Sequence, residues 1–170
     1  MTGVQTCALP ISQQLQALGE AADLALAPAS GGGLVAGIGL AFGALSPQTE
    51  IWAVEPEAYD DHAQSLKAGR RMTVTPAVGS RLDALLSPAP GELTFALNGR
   101  RLSGAVGVSD AEAMAAVAFA FRHLKLVLEP SGAAALAAVL SGKVETAGRT
   151  VLVVASGGNV DAELYAEAIG

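Results

Sequence analysis

A glycine-rich turn between two apolar segments constrains the fold of this chain more than any other feature. The turn, Ser-Gly-Gly-Gly at 30–33, follows the short apolar run 23–27 and precedes the charge-free stretch 34–45, whose large residues have helical spacing. The segment 50–55 is again strand-like and is followed by a proline. A strand, a turn, a helix and a second strand form a βαβ unit, which predicts a parallel sheet.

The turn has the properties of a phosphate-binding site. Amides at the start of a helix have no partner within that helix, and the helix N-terminus carries a partial positive charge. Glycines let an anion approach the backbone because they have no Cβ atom. One alternative is a tight turn without a ligand. Another is a Rossmann dinucleotide site with Glu55 on the ribose, although Ala36 stands where G-x-G-x-x-G requires its third glycine.

The rest of the chain extends the same architecture. Residues 56–103 lack a clean period and predict loops and short helices over a site, whereas 104–108 is strand-like. A capping-box pattern at 109–112 starts a helix, a second helix covers about 131–140, and 150–155 is a β-branched strand. We therefore predict one α/β domain, an open, twisted, mainly parallel sheet with helices on both faces.

Two further segments place polar groups at the ends of predicted elements. Residues 129–134 (EPSGAA) open the second helix, and 156–159 (SGGN) follow the last predicted strand. Ligands of open α/β sheets bind at the carboxyl ends of the strands, so we expect both segments to converge with the glycine turn on one pocket. Each of them taken alone is more typical of a turn than of a site.

Length and charge limit the class of protein. The 170 residues suffice for one domain, and a net charge of −6 argues against nucleic-acid binding, which requires clustered basic side chains. The apolar stretch 34–45 is too short to cross a membrane. Residues 1–11 fit nothing that follows. We expect this segment, which contains the only cysteine, Cys7, to be adapter-derived and non-native, with the natural domain at 12–170 and a natural N-terminal portion missing.

Six motifs, in order, resemble the serine/threonine dehydratase family, which also includes serine racemase. The motifs are SGGGLVAG, EPEAYDD, SLKAGRR, PGELTF, EPSGAAALAAVLSGK and SGGNVD, and the resemblance covers about residues 12–161. Members of this family are fold-type-II enzymes that use pyridoxal 5′-phosphate (PLP). The resemblance implies that this chain is the C-terminal part of the large, PLP-binding domain of such an enzyme.

The resemblance also implies roles for individual residues at the cofactor. The glycine turn and the Leu34 amide would hold the PLP phosphate, and the Ser156 hydroxyl would hydrogen-bond the pyridine nitrogen. Glu129 lies where the family keeps an acid near the cofactor, with a buried structural carboxylate as the alternative. The implied cofactor-binding residues are Ser30, Gly31, Gly32, Gly33, Leu34, Glu129 and Ser156.

A divalent cation site is implied in those relatives that bind a metal. Its ligands would be Glu55, the backbone carbonyl of Tyr59, and Asp61. Carboxylates and a carbonyl are hard oxygen ligands that suit Mg²⁺, Ca²⁺ or Mn²⁺. The alternative is that the two acids belong to a solvated loop.

The family forms a Schiff base between PLP and a lysine of its N-terminal half. The three lysines of this chain, Lys67, Lys125 and Lys143, are each predicted to be surface charges, and we assign none of them to catalysis. In the intact enzyme we expect β-elimination from L-threonine or L-serine, which yields a 2-oxo acid and ammonia. The chain alone is expected to be inactive.

Several functional alternatives stay open at this point. The motifs do not separate a dehydratase from a serine racemase or another hydroxyamino-acid PLP enzyme. A Rossmann-like nucleotide-binding module and a non-catalytic ligand-binding module with the same fold are further alternatives. The expected partner is a small hydroxyamino acid, with no nucleic acid and no membrane, and the full-length protein is expected to be a cytoplasmic homo-oligomer, either a dimer or a tetramer.

Overall fold

A four-stranded parallel sheet forms the centre of the molecule. The computed structural model describes residues 2–76 and 78–170. The strands are β1 (Leu24–Pro28), β2 (Glu50–Pro56), β3 (Gly104–Val108) and β4 (Val151–Val153). Their order across the sheet is β3-β2-β1-β4, and each neighbouring pair is parallel. The predicted βαβ unit and the predicted fold class are therefore confirmed.

Seven α-helices connect and cover the strands in the described part of the chain. They are α1 (Thr2–Ala17), α2 (Gly33–Leu45), α3 (Asp61–Ala68), α4 (Glu92–Arg101), α5 (Asp110–Phe119), α6 (Ala134–Leu140) and α7 (Ala162–Ile169). Single 3-10 turns lie at Glu57–Tyr59 and Asp83–Leu85, and a π-helical turn at Ala120–Leu124 follows α5. Of the helices formed by the described residues, none has the length and apolar character that crossing a bilayer requires.

Apolar side chains are buried on both faces of the sheet because successive residues of a strand point to opposite sides. In β1, Leu24 and Leu26 belong to a cluster with buried residues of α5 and α6. Ala25 and Ala27 belong to a second cluster, which includes buried residues of α2. The helices thus lie on both faces, as predicted.

Two predicted boundaries differ from the structure by a few residues. Helix α6 begins at Ala134 rather than near Ser131, because the preceding residues form a turn in which the Ala133 amide donates to the carbonyls of Glu129 and Pro130. Strand β4 ends at Val153, before the predicted end of the strand at residue 155. The capping box at the start of α5 is present as predicted.

The backbone of the predicted non-native segment is helical. Helix α1 begins at Thr2, continues through Pro10 and ends at Ala17, shortly before Gly19, whose φ is 71°. Met1 and the side chain of Cys7 lie outside the described residues. That residues 1–11 are non-native stays a prediction, since a helical conformation does not test it.

Candidate functional site

The order of the strands creates a switch point between β1 and β4. Strands β2 and β3 lie successively on one side of β1, whereas β4 lies on its other side. The connections that follow β1 and β4 therefore diverge at the carboxyl edge of the sheet, which is where open α/β sheets bind ligands. The glycine turn follows β1, and the segment 156–159 follows β4. The topology thus brings the predicted phosphate turn and the predicted pyridine contact to the same edge.

The glycine turn leaves the N-terminus of α2 without a cap. No side chain caps this helix, and its N-cap residue, Gly32, has a φ of 87° that glycine adopts without strain. Within the residues described, the amides from Ser30 to Leu34 donate no backbone hydrogen bond. A Cβ atom at Gly31 or Gly33 would meet no atom within 4 Å, so space is available on that side of the turn. Free amides beside open space fit a phosphate group.

Helix α4 lies against the turn and contacts its carbonyl groups. The Gly31 carbonyl accepts hydrogen bonds from the Thr94 hydroxyl and from the Gly91 amide, the latter at 3.0 Å. The Gly32 carbonyl accepts one from Asn98 Nδ2 at 3.2 Å. The sequence reasoning missed Thr94 and Asn98. The signal in the sequence was their spacing of four residues, which places both side chains on one face of a helix.

The segment after β4 interlocks with the segment before α6. The Glu129 amide donates to the Gly157 carbonyl at 3.0 Å, and a Cβ atom at Gly132 would lie 2.6 Å from the Gly157 nitrogen. Two of the three predicted segments are therefore in contact. Ser156 is exposed beside this contact and Glu129 is half-buried, and their roles toward a cofactor stay predictions.

Three ionisable side chains form a buried cluster at the end of β2 and the start of α3. Glu55 is 0% exposed and Asp61 1% exposed, so the alternative of a solvated acidic loop is wrong. One Glu55 oxygen accepts from the His62 amide at 2.8 Å, and the other accepts from the Ala63 amide at 3.1 Å. The imidazole of His62 completes the cluster. The sequence analysis did not single out His62, although this residue directly follows the EPEAYDD motif.

Burial and pairing shift the protonation of this cluster. Burial raises the pKa of Glu55, and the contacts with His62 offset this only in part. Burial alone would lower the pKa of His62, but hydrogen bonds to Asp61 and Glu55 outweigh it and raise that pKa to about 9. His62 is therefore the cation of this cluster near neutral pH.

The carboxylates of the implied cation site, Glu55 and Asp61, share this cluster with the imidazole of His62, and the cation site stays a prediction. Nδ1 of His62 lies 2.9 Å from Glu55 Oε1 and 3.3 Å from Asp61 Oδ2, so the imidazole occupies the space between the carboxylates. Tyr59 lies in the 3-10 turn just before these residues. Because Glu55 is 0% exposed, its carboxylate is not accessible to the ribose of a dinucleotide.

The three lysines differ in exposure and in their contacts. Lys67 and Lys125 are exposed, as predicted. Lys143 is partly exposed, and its Nζ atom pairs with Glu57 at 2.6 Å and with Glu112 at 2.8 Å. That none of the three serves in catalysis stays a prediction.

Comparisons with known proteins identify the family. Residues 1–157 match the family model described as pyridoxal-phosphate dependent enzyme. The chain is 37% identical over 161 residues to β-hydroxyaspartate dehydratase of Paracoccus denitrificans, and the match covers 95% of this chain and 49% of the relative. It is 35% identical over 166 residues to serine racemase of Arabidopsis thaliana, with coverage of 95% and 48%.

Solved structures give the same result. The T.th. threonine deaminase matches with a TM-score of 0.87 and 38% identity, over 94% of this chain and 53% of the deaminase. The chain thus spans about half the length of the relatives that it matches. The motifs, the fold and these similarities agree, and the chain belongs to the family of pyridoxal-phosphate dependent enzymes.

Proposed function

We propose that this chain forms the phosphate-binding part of a PLP-dependent lyase that releases ammonia from a hydroxyamino acid. The observation that carries the proposal is the uncapped N-terminus of α2 at the switch point of the sheet. A phosphate group satisfies several free amides at once and interacts favourably with the helix dipole. Membership of the family supports PLP as the source of that phosphate.

In this proposal the chain anchors and orients the cofactor. The amides from Ser30 to Leu34 hold the phosphate, the Ser156 hydroxyl donates to the pyridine nitrogen, and Glu129 lies beside the ring. A neutral hydroxyl does not favour protonation of that nitrogen as a carboxylate would. When bound, PLP supplies an electron sink for the negative charge that develops at the substrate Cα.

The names of the relatives support a hydroxyamino acid as the substrate. Threonine deaminase, β-hydroxyaspartate dehydratase and serine racemase are each named for an amino acid with a hydroxyl on Cβ. We propose L-threonine or L-serine: the Cα–H and Cβ–O bonds break, hydroxide leaves, and hydrolysis of the released enamine gives 2-oxobutanoate or pyruvate and ammonia. Racemisation of serine is the second candidate, supported by the similarity to the Arabidopsis enzyme.

A binding measurement tests the cofactor. The 170-residue chain is titrated with PLP and with inorganic phosphate, and the fluorescence of its single tryptophan, Trp52, is recorded. We expect saturable PLP binding that excess phosphate reverses. Absence of PLP binding to the folded chain would contradict the proposal.

An activity measurement tests the reaction. The chain and the longer natural protein predicted above are incubated with L-threonine, L-serine and L-threo-3-hydroxyaspartate, and 2-oxo acid and D-serine are assayed. We expect 2-oxo acid from the longer protein and none from this chain, because we assign none of its three lysines to catalysis. Formation of D-serine without 2-oxo acid would favour the racemase.

The divalent cation, the assembly and the cellular compartment stay predictions. A cation at Glu55, Tyr59 and Asp61 would have to displace or coordinate the imidazole of His62, and we assign it no step in the reaction. Titration with Mn²⁺, followed by electron paramagnetic resonance, tests the site. Saturable binding would support the cation prediction, and its absence would contradict it. Sedimentation of the longer protein tests for a dimer or tetramer, and imaging of a tagged protein tests the cytoplasmic location.

A further inference from the structure

Two carbonyl groups of the glycine turn are held by side chains of another helix. The Gly31 carbonyl accepts from the Thr94 hydroxyl and the Gly91 amide, and the Gly32 carbonyl accepts from the Asn98 amide group. The Gly32 carbonyl also receives the first hydrogen bond within α2, from the Ala36 amide at 3.0 Å. The Gly31 carbonyl has no such bond from α2, so its described partners all come from the region of α4.

The direction of these carbonyls determines the direction of the turn amides. In a planar trans peptide the C=O group and the following N–H group point in opposite directions. The peptides of the turn are trans. Because the Gly31 carbonyl is directed toward α4, the Gly32 amide points away from α4. The Gly32 carbonyl is also directed toward α4, so the Gly33 amide likewise points away from it. Both amides belong to the group at the N-terminus of α2 that donates no backbone hydrogen bond.

Burial of the polar Asn98 side chain costs free energy, which a hydrogen bond can offset. It is 1% exposed, and its Nδ2 atom donates a hydrogen bond to the Gly32 carbonyl at 3.2 Å. A buried amide group without partners is destabilising, so a chain gains nothing by placing an asparagine here for packing alone. The hydroxyl of Thr94, one helical turn away, has the same orientation toward the glycine turn.

We propose that Thr94 and Asn98 are positioning residues for the phosphate-binding turn. By holding two consecutive carbonyls they direct the amides of Gly32 and Gly33 toward the cofactor phosphate. Loss of either contact lets the turn adopt other orientations, and the affinity for the phosphate group falls. This inference rests on the proposed function, because the phosphate in question is that of PLP.

The test compares PLP with pyridoxal, which lacks the phosphate. The variants are Thr94→Val, which removes the hydroxyl at nearly constant volume, Thr94→Ser, which keeps it, and Asn98→Ala. We expect Thr94→Val and Asn98→Ala to lower the affinity for PLP about tenfold while the affinity for pyridoxal is unchanged, as for loss of one hydrogen bond to a buried group. Thr94→Ser should bind as the unmodified chain does, and the ³¹P chemical shift of bound PLP should move only in the first two.

The outcomes separate this inference from the proposed function. If the unmodified chain binds neither PLP nor inorganic phosphate, the proposed function is wrong and this inference with it. If it binds PLP and the variants keep its ratio of PLP to pyridoxal affinity, only the inference is overturned. An equal loss for both ligands would likewise show a purely structural role. Far-UV circular dichroism without ligand verifies folding. If Asn98→Ala fails to fold, the comparison of Thr94→Val with Thr94→Ser tests whether the hydroxyl positions the turn.

Discussion

Gly32 is enclosed by two polar side chains, and this makes it the most sensitive residue of the turn. A Cβ atom there would lie 2.6 Å from both Asn98 Nδ2 and His62 Nε2, and the φ of 87° disfavours any side chain. We predict that Gly32→Ala lowers the free energy of unfolding by about 2 kcal/mol or more, measured by urea denaturation.

Gly31→Ala is the matched control for this prediction. A Cβ atom at Gly31 meets nothing within 4 Å, and its φ is not positive, so we expect the stability to change by less than about 0.5 kcal/mol. The same methyl group projects into space that a phosphate would need, and PLP binding should weaken. Equal stability of the two variants would show that the enclosure of Gly32 is not as described.

Lys143 connects three elements through one ammonium group. Nζ contacts Glu57 after β2, Glu112 in the first turn of α5, and the Gly107 carbonyl of β3 at 2.9 Å. Burial alone would raise the pKa of Glu112, but Lys143 and the Ser109 contacts lower it. The folded state therefore gains stability from ionised Glu112 above its ordinary pKa of 4.5, and this gain is lost as the pH falls through the lower folded value.

We predict that Lys143→Gln lowers the free energy of unfolding by about 0.5 to 1 kcal/mol at pH 7, as for a partly exposed ion pair. The difference from the unmodified chain should shrink in acid, where Glu112 becomes protonated in both proteins. Urea denaturation at several pH values between neutrality and pH 3 measures this. Lys67→Gln, at an exposed lysine of α3, is the control, and an equal effect of both variants would contradict the prediction.

The elements that the sequence predicts well are those built on local patterns. The unit of β1, the glycine turn, α2 and β2 follows from short apolar runs, helical period and glycine placement within 23–55. The contacts of Asn98 and Thr94 with the turn join residues far apart in sequence, and the spacing within α4 indicates a common face but not its partner. The His62 imidazole was missed for the same reason: the motif placed acids together, whereas the position of the ring depends on how α3 packs against β2.

Over the whole molecule, two apolar clusters share a single sheet. Leu26 of β1 is buried in one cluster and Ile51 of β2 in the other, each at 0% exposure. Each of these strands contributes side chains to both faces of the sheet, so the two clusters should unfold together. We predict that Leu26→Ala and Ile51→Ala each destabilise the protein by about 3 kcal/mol and shift the same unfolding transition. Trp52 fluorescence and far-UV circular dichroism should give coincident midpoints. Separate transitions would show that the two faces unfold independently.

The position of β4 beside β1 has a consequence for how the protein is made. The inner strand β1 leaves the ribosome well before β4, so one of its edges finds its partner only when Val151 to Val153 arrive. Until then β1 presents an unpaired edge that can associate with other chains. In the proposed function the cofactor contacts segments that follow both β1 and β4, so its site is complete only after this pairing.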